Sequence, residues 1–339
     1  MQIRENIPLA PHTTLKLGGS ARYFATLTET SDVSNVFRFA KECEVEVFML
    51  GGGSNTIFAD GVIDKLVVRN QLCGISFEEI GDEVIVTAAA GESWDELVKQ
   101  AVAGGFSGIE ALSGIPGTVG AAPVQNIGAY GAQLADTFVS LTAWDKEHGE
   151  FREFTPSDCD FSYRNSLFKR QFARFFITEL KLRLQVDQSP SAPDYGSLQA
   201  YLEKNRIENP DLTEIRDAIV AVRSSRLPNV ETTPNAGSFF TNPVIDRSQA
   251  DELEDKFPDL VRFDLKDGQV KIPAGWLIEK AGLKGKSFGN FRTSADNALV
   301  LIHDGGGTTT ELLSVQGEIK KRVEDMFGIV LEREPNYVS

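Results

Sequence analysis

Two glycine-rich stretches carry the residues whose types and spacing point to chemistry. The longer, Gly114 to Gly131, reads GIPGTVGAAPVQNIGAYG, and from Leu112 through Ala135 no side chain is charged. Five glycines (Gly114, Gly117, Gly120, Gly128, Gly131) and two prolines (Pro116, Pro123) fall within it, a combination that interrupts helix and strand alike. The stretch is therefore expected to be a buried, irregular loop. Such a loop is costly unless its backbone N–H and C=O groups find partners, and a large ligand rich in acceptor oxygens supplies them. A diphosphate suits a nest of backbone N–H groups. The shorter stretch, Gly51-Gly52-Gly53-Ser54-Asn55, directly follows the apolar run VEVFML. A loop at the carboxyl end of a strand can present N–H groups to phosphate, although GGGSN alone is equally a flexible turn. Two such stretches in one chain point to a cofactor seat. A membrane span would need ~20 apolar residues in regular helix, against which stand Pro116, Pro123, Gln125 and Asn126. A purely structural loop remains the alternative.

The elements that must position these loops are legible from periodicity. Ser31 to Cys43 has helical spacing at Val33, Val36, Phe37 and Ala40 with Ser31 as N-cap, and Val45 to Leu50 is a strand. Leu66 to Arg69 and Val84 to Ala90 read as strands, and Ser93 to Glu96 has capping-box form and opens a helix closed by Gly104-Gly105. Phe138 to Trp144 and Phe175 to Leu184 are expected strands, the second with a phase break between Ile177 and Leu180 that predicts a bulge. Gln185 to Ala192 is a polar connection. A helix over Asp211 to Arg226 must end near Pro228. The last third reads as a smaller α+β unit, with a short helix over Ile272 to Lys280 and a longer one over Thr308 to Phe327. The longer helix has Thr308 and Glu311 as capping box and Leu312, Val315, Ile319, Val323 and Met326 as its apolar stripe.

Composition narrows the class. At 339 residues, 41% hydrophobic and 24% charged, the chain has ordinary globular proportions and room for two or three domains. A formal charge of −15 with no basic block excludes a general nucleic-acid binder, so an anionic substrate must be met by a few placed cations. Cys43, Cys73 and Cys159 are odd in number and show neither disulfide nor zinc spacing, and the opening MQIRENIPLAPHTT lacks a signal-peptide core. A cytoplasmic protein without a metal is expected. His12, His148 and His303 leave little room for histidine-based chemistry.

Six segments then occur in one family's order: GGGSN from Gly51, IPGTVGAAPVQNIGAYG from Ile115, YRNSLFK from Tyr163, NAGSFFTNP from Asn235, IPAGWLIEKAGLKG from Ile272 and LEREP from Leu331. Over nearly its whole length the chain resembles the UDP-N-acetylenolpyruvoylglucosamine reductases, type I. The resemblance implies an α+β protein with a two-lobed FAD-binding domain of the vanillyl-alcohol-oxidase (PCMH) type over residues 1–190, its lobes roughly 1–68 and 69–190. A connecting loop and helix over 191–226 and a smaller α+β substrate-binding domain over 227–339 complete the expected division. It also implies a reaction in peptidoglycan precursor synthesis: NADPH reduces FAD, and the reduced flavin passes hydride to the enolpyruvyl ether of the UDP-sugar, giving UDP-N-acetylmuramate.

The resemblance assigns roles residue by residue. Arg164 matches the arginine that holds the enolpyruvyl carboxylate, onto which charge moves during hydride transfer. Ser238 matches the proton donor and Glu334 the glutamate that helps stabilise the enol-like intermediate. Tyr195 matches the type I tyrosine whose loop closes over uracil and diphosphate, Asn242 matches a substrate-binding asparagine, and Tyr163 adjoins Arg164 on the substrate side. Arg226 stands where type I members carry a lysine near the diphosphate, which preserves the charge. Gly51, Gly52, Gly53, Ser54 and Asn55 are expected to wrap the FAD diphosphate, with Gly117, Gly120, Ile127 and Gly128 lining the rest. Neither loop holds a histidine or cysteine, so the flavin is expected to be non-covalent. Pro335-Asn336 follows Glu334 where the family runs Val-Arg. A monomer is expected. Two other readings stay open: a flavin oxidoreductase of the same fold acting on a small alcohol or hydroxy acid, and a flavin-binding remnant without turnover.

Overall fold

The computed structural model describes residues 1–186, 190–265 and 268–339. The chain forms two compact units: Met1–Ile7, Ala21–Gly52 and Asp64–Ser224 make the first, and Pro8–Ser20, Gly53–Ile63 and Ser225–Ser339 the second.

The first unit contains two sheets. One has the spatial order Ile3–Pro8, Ser20–Leu27, Val62–Asn70, Glu46–Leu50, with the last two strands parallel and Val47 beside Leu66. Helix Val33–Glu42 buries Val33, Val36 and Ala40 against Val47, Leu66 and Val68. Ser31 does not cap this helix. Thr30–Asp32 form a 3-10 turn in which the Val33 N–H bonds to Thr30 O, and Asp32 takes the N-cap position of the helix.

The second sheet is antiparallel, in the order Glu150–Phe154, Phe138–Asp145, Phe175–Val186, Glu83–Ala89, Ile75–Ile80. The expected bulge is present: Thr142 pairs with Glu179 and Ala143 with Ile177, so Thr178 is skipped and its hydroxyl donates to Thr142 O at 3.1 Å. Helix Trp94–Ala103 buries Trp94, Leu97, Val98 and Ala101 in the same core as Val84, Val86 and Leu182. Ser93 Oγ accepts from Glu96 N, the capping bond the sequence predicts. Helices Gly196–Asn205 and Leu212–Ser224 close on each other through Leu198, Leu202, Ile215, Ala218 and Ile219. Of the polar connection 185–192, residues 187–189 lie outside the described residues.

The second unit has a four-stranded sheet, Asn235–Ser238, Val300–His303, Phe291–Thr293, Ser287–Phe288, and a three-stranded one, Val244–Asp246, Gln269–Lys271, Phe263–Asp264. Helix Thr309–Phe327 carries the predicted capping box of Thr308 and Glu311 and buries Leu312, Val315, Ile319 and Val323. Met326 is not on that stripe: it is 45% exposed, and Phe327 is buried in its place, with ring centroids 5.0 Å from Phe257 and 5.8 Å from Trp276. The apolar periodicity admits a step of three or four after Val323, and the aromatic cluster selects four. The short helix runs Ala274–Lys280, two residues later than predicted, because Pro273 takes the N-cap position. Among the described residues no helix is long and apolar enough to cross a membrane.

Candidate functional site

In the first unit the two glycine stretches meet. A Cβ built on Gly51 would stand 2.6 Å from Thr118 Oγ1, and one on Gly52 only 3.1 Å from Gly117 Cα. A side chain at Gly52 would press on the Gly117 backbone, and one at Gly51 would have to displace the Thr118 hydroxyl. Among the described residues, the N–H groups of Gly51, Gly52 and Gly117 donate to no backbone carbonyl. The paired loops therefore offer N–H donors in close backbone approach, and this fits the acceptor oxygens of a cofactor diphosphate.

The longer stretch is irregular apart from the 3-10 turn Val119–Ala121 and the short pair Gly128–Ala129 with Ala132–Gln133. It is not buried throughout, which corrects the expectation. Val119, Ala122, Asn126 and Ile127 are buried, whereas Pro116, Ala121 and Gly131 are exposed. Apolar side chains anchor the loop from beneath while part of its backbone stays open. Gly120 sits on Ala90, donating N–H to its carbonyl at 2.9 Å. Helix Trp94–Ala103 fixes the near end: Trp94 N donates to Gly117 O and Trp94 Nε1 to Leu112 O, both at 3.1 Å.

Charged side chains grip Gly114 as well. Asp95 Oδ1 accepts from Gly114 N at 2.6 Å, and Arg216 forks onto the same carboxylate at 2.7 and 2.9 Å. Burial would raise the Asp95 carboxyl, but the bonds from Arg216 and Gly114 and the Arg216 charge outweigh it and hold the group below its usual range. Arg223 Nε donates to Gly114 O at 3.2 Å. None of these three side chains was singled out by sequence reasoning. The only available signal was the spacing of Arg216 and Arg223, seven apart and so on one helix face, and it does not separate them from ordinary surface arginines.

Arg164 occupies a tight turn in which Ser162 and Asn165 exchange two backbone bonds of 3.1 Å, and its φ is +52°. That turn is bolted to the long glycine stretch. Ser166 Oγ donates to Val124 O at 2.6 Å, and Asn126 Nδ2 donates to Ser162 O at 3.3 Å. Tyr163 is 51% and Tyr195 45% exposed. The Tyr195 ring meets Tyr130, within the long stretch, edge to face at 5.1 Å. The first unit thus gathers Gly51, Gly52, Gly117, Gly120, Ile127, Gly128, Tyr163, Arg164 and Tyr195.

The second unit holds Gly53, Ser54, Asn55, Arg226, Ser238, Asn242 and Glu334. Ser238 ends strand Asn235–Ser238 and pairs with Val300, and Asn235 Oδ1 accepts from Gly237 N at 2.8 Å. Glu334 N donates to Phe239 O at 3.0 Å and Thr241 N to Glu332 O at 2.9 Å, so segments 239–241 and 332–334 run antiparallel side by side. This brings the backbone carrying Glu334 next to the residue after Ser238. Pro335-Asn336 is absorbed without disruption: Asn336 N donates to Asn55 O at 2.9 Å and Asn336–Val338 runs parallel to Thr56–Phe58. Asn242 Oδ1 caps helix Ala274–Lys280 through Ala274 N at 2.9 Å, which commits its oxygen and fixes the direction of its amide. Thr14 N donates to Gly53 O at 3.2 Å, and Thr14 Oγ1 is buried with no hydrogen-bond partner among the described residues. Arg226 is exposed. Among the described residues no cluster of three His, Cys, Asp or Glu could hold a metal ion.

Comparison with known proteins matches residues 228–338 to the family described as UDP-N-acetylenolpyruvoylglucosamine reductase, C-terminal domain, and residues 21–155 to an FAD binding domain. The chain is 40% identical over 337 residues to the UDP-N-acetylenolpyruvoylglucosamine reductase of Pseudomonas aeruginosa, covering 99% of each chain. It is 38% identical over 340 residues to that of Flavobacterium johnsoniae, covering 100% of each. The crystal structure of UDP-N-acetylenolpyruvylglucosamine reductase from Thermus caldophilus superposes over 100% of both chains with a TM-score of 0.68 at 23% identity, a likeness of fold.

Proposed function

This chain belongs to the UDP-N-acetylenolpyruvoylglucosamine reductase family, and from that premise we propose how its residues divide the reaction. The fold is α+β, with an FAD-binding region of the vanillyl-alcohol-oxidase (PCMH) type. The activity is NADPH-dependent, FAD-mediated reduction of the enolpyruvyl ether of the UDP-sugar to UDP-N-acetylmuramate, in peptidoglycan precursor synthesis. Bound FAD supplies the carriage of hydride from NADPH to the enol ether.

Gly51, Gly52, Gly53, Ser54 and Asn55 hold the FAD diphosphate, and Gly117, Gly120, Ile127 and Gly128 line its seat. The observation that carries this is the meeting of Gly51 and Gly52 with Gly117 and Thr118, with the glycine N–H groups left to donate. Arg164 holds the carboxylate of the enol ether and takes up the charge that hydride addition pushes onto it. Its turn is fixed by Ser166 and Asn126, which supports a preset starting direction for the side chain. Ser238 Oγ gives a proton to the adjacent carbon, and Glu334 stabilises the enol-like intermediate. Tyr163, Tyr195, Arg226 and Asn242 contact the UDP-sugar, with Asn242 offering its Nδ2 because its oxygen is engaged as a helix cap. Residues 1–190 form the FAD-binding domain, 191–226 the connection and 227–339 the substrate-binding domain. The protein works as a cytoplasmic monomer.

Anaerobic stopped-flow absorbance separates the two half-reactions. In Ser238→Ala, NADPH should bleach the flavin as in the parent, while reoxidation by the UDP-enolpyruvyl sugar slows by about 100-fold or more, the usual range for removing a positioned acid. Equal slowing of both half-reactions would defeat the proton-donor role.

A further inference from the structure

Two non-glycine residues of the first unit, Asn126 and Arg164, have left-handed backbone, at φ +43° and +52°. They lie on two segments joined by buried hydrogen bonds, and such a backbone persists only where its surroundings over-determine it. Asn126 is buried with every polar atom of its side chain engaged. Its Nδ2 donates to Gln133 Oε1 at 2.9 Å and to Ser162 O at 3.3 Å, and its Oδ1 accepts from Ala135 N at 3.0 Å. Ser166 is fully buried, and its hydroxyl is used twice, donating to Val124 O at 2.6 Å and accepting from Lys169 N at 3.2 Å. Both flanks of the Arg164 turn, Ser162 and Ser166, are thus tied to Val124–Asn126, which runs directly into Ile127 and Gly128 of the glycine stretch. Attachment to the core does not depend on these bonds. Phe168, two residues past Ser166, already anchors the segment, its ring centroid 5.3 Å from Phe154 and 5.7 Å from Phe175. What the bonds add is register between turn and stretch, because hydrogen bonds are directional and apolar contact is not.

We propose that Ser166 and Asn126 are positioning residues for the enol-ether half-reaction. They make the turn that bears Arg164 and the stretch that lines the flavin seat one rigid piece, so that a seated FAD and the arginine holding the carboxylate stand at a set separation. Neither residue touches the reacting atoms; both act through Arg164. Hydride transfer is sensitive to that separation, since a misplacement of ~1 Å costs about a hundredfold in rate. The NADPH step does not use the enol-ether carboxylate, so the two half-reactions should respond differently. The proposal rests on the reading of the glycine stretches as the FAD seat and of Arg164 as the carboxylate's partner.

The test uses the full chain loaded with FAD, as Ser166→Ala and as Asn126→Gly, glycine being free to keep the left-handed backbone. Phe168→Leu is the control, because it loosens the packing of the same segment and leaves both bonds in place. Three quantities are read: stopped-flow rates of the two half-reactions, the dissociation constant of the UDP-enolpyruvyl sugar from absorbance titration of the oxidised protein, and the melting temperature without FAD. In both bond-deleting variants NADPH should bleach the flavin at about the parent's rate, while reoxidation at saturating sugar slows by about tenfold to a hundredfold. Sugar affinity should fall by less than that rate. Phe168→Leu should reoxidise at about the parent's rate even where its melting temperature falls as far. In an Arg164→Ala background Ser166→Ala should slow reoxidation by less than about twofold more, because no guanidinium is left to position. Reoxidation at the parent's rate in both bond-deleting variants overturns the proposal. Equal slowing in Phe168→Leu at a matched melting temperature does so as well, and so does a Ser166→Ala loss that multiplies in full with that of Arg164→Ala. An Arg164→Ala protein that reoxidises like the parent, or a parent that takes up no FAD, would instead sink the reading on which the proposal rests.

Discussion

At Arg164 the backbone carries a constraint that the side chain's proposed task explains. A non-glycine residue at φ +52° costs about 1 kcal/mol relative to ordinary backbone. The turn tolerates it because Ser166 and Asn126 fasten both flanks to the glycine stretch and Lys169 Nζ bonds the Arg164 carbonyl at 2.9 Å. The turn therefore fixes the direction in which the side chain leaves the backbone, and a side chain with charge but no fork should not replace Arg164. Arg164→Lys is expected to slow flavin reoxidation by the sugar about tenfold or more while leaving bleaching by NADPH unchanged. Single-turnover traces of each half-reaction decide it; loss of the NADPH step would place Arg164 elsewhere in the cycle. The three thiols show how little of the remaining nucleophilic inventory is available for chemistry. Burial, with a small addition from Asp158, pushes the Cys159 thiol up to about 12, while Cys73 is exposed and all three cysteines are free. Maleimide labelling followed by mass spectrometry should modify Cys73 in the native protein and Cys159 only after denaturation. Rapid native labelling of Cys159 would contradict its burial.

Among the elements, helix Thr309–Phe327 shows what local sequence can dictate. Thr308 Oγ1 accepts from Glu311 N at 3.2 Å and Glu311 returns a bond to Thr308 N at 2.8 Å, while Asp60 takes the Thr309 and Thr310 N–H groups at 3.0 and 2.8 Å. Thr308→Ala removes one of these bonds and leaves the others, so the cost should be about 1 kcal/mol. Urea unfolding of the second unit's signal would register it as a lower midpoint at unchanged slope; no shift would mean that Asp60 alone caps the helix. The Thr308–Glu311 box was legible because both partners lie within three residues, as were the Thr178 bulge, the Ser93 cap and the stripe from Leu312 to Val323. Asp60 was not legible, since it reaches Thr309 across 249 residues. The same limit governed the site. The glycine stretches announced themselves by composition, and motif order supplied the proposed residues Arg164, Ser238 and Glu334. Asp95 grips Arg216 from 121 positions away, however, and nothing local marks either residue. Ser31 and Met326 failed for a related reason: periodicity leaves a choice of one residue, and a preceding 3-10 turn or a distant aromatic cluster makes it.

The molecule as a whole carries 49 acidic against 34 basic side chains, and its response to acid follows from where the structure keeps those acids charged. Asp145 is the extreme case. Its carboxylate is fully buried and takes bonds from Arg174 at 2.8 and 3.1 Å, His148 at 2.8 Å and Arg152 at 3.2 Å. The Arg174 guanidinium foremost, against the cost of burial and with help from His148, the Glu147 N–H and Arg152, holds this group far below the usual carboxylate range. Glu46 beside Lys65 and Asp60 beneath the Thr309 and Thr310 N–H groups are lowered as well. A carboxylate whose value is depressed on folding stabilises the native state at every pH above its unfolded value near ~4, and that contribution is lost as pH falls through the folded value. Over the range from neutrality toward the sequence pI of 4.8 a second effect has the opposite sign, because partial neutralisation of the excess acidic groups relieves self-repulsion. The melting temperature of the FAD-free protein should therefore hold or rise slightly from pH 7 to about 5.5 and fall steeply below about 4. Asp145→Asn removes the principal counter-charge of Arg174, which keeps Glu147 at 2.8 Å, so it should cost about 1–3 kcal/mol at neutral pH and make the acid limb shallower. Calorimetry of both proteins across pH 3 to 7 tests this directly. A melting temperature that declines steadily from neutrality would show that repulsion is not the governing term there. An Asn variant with the parent's stability and the same acid limb would show that Asp145 does not carry the linkage.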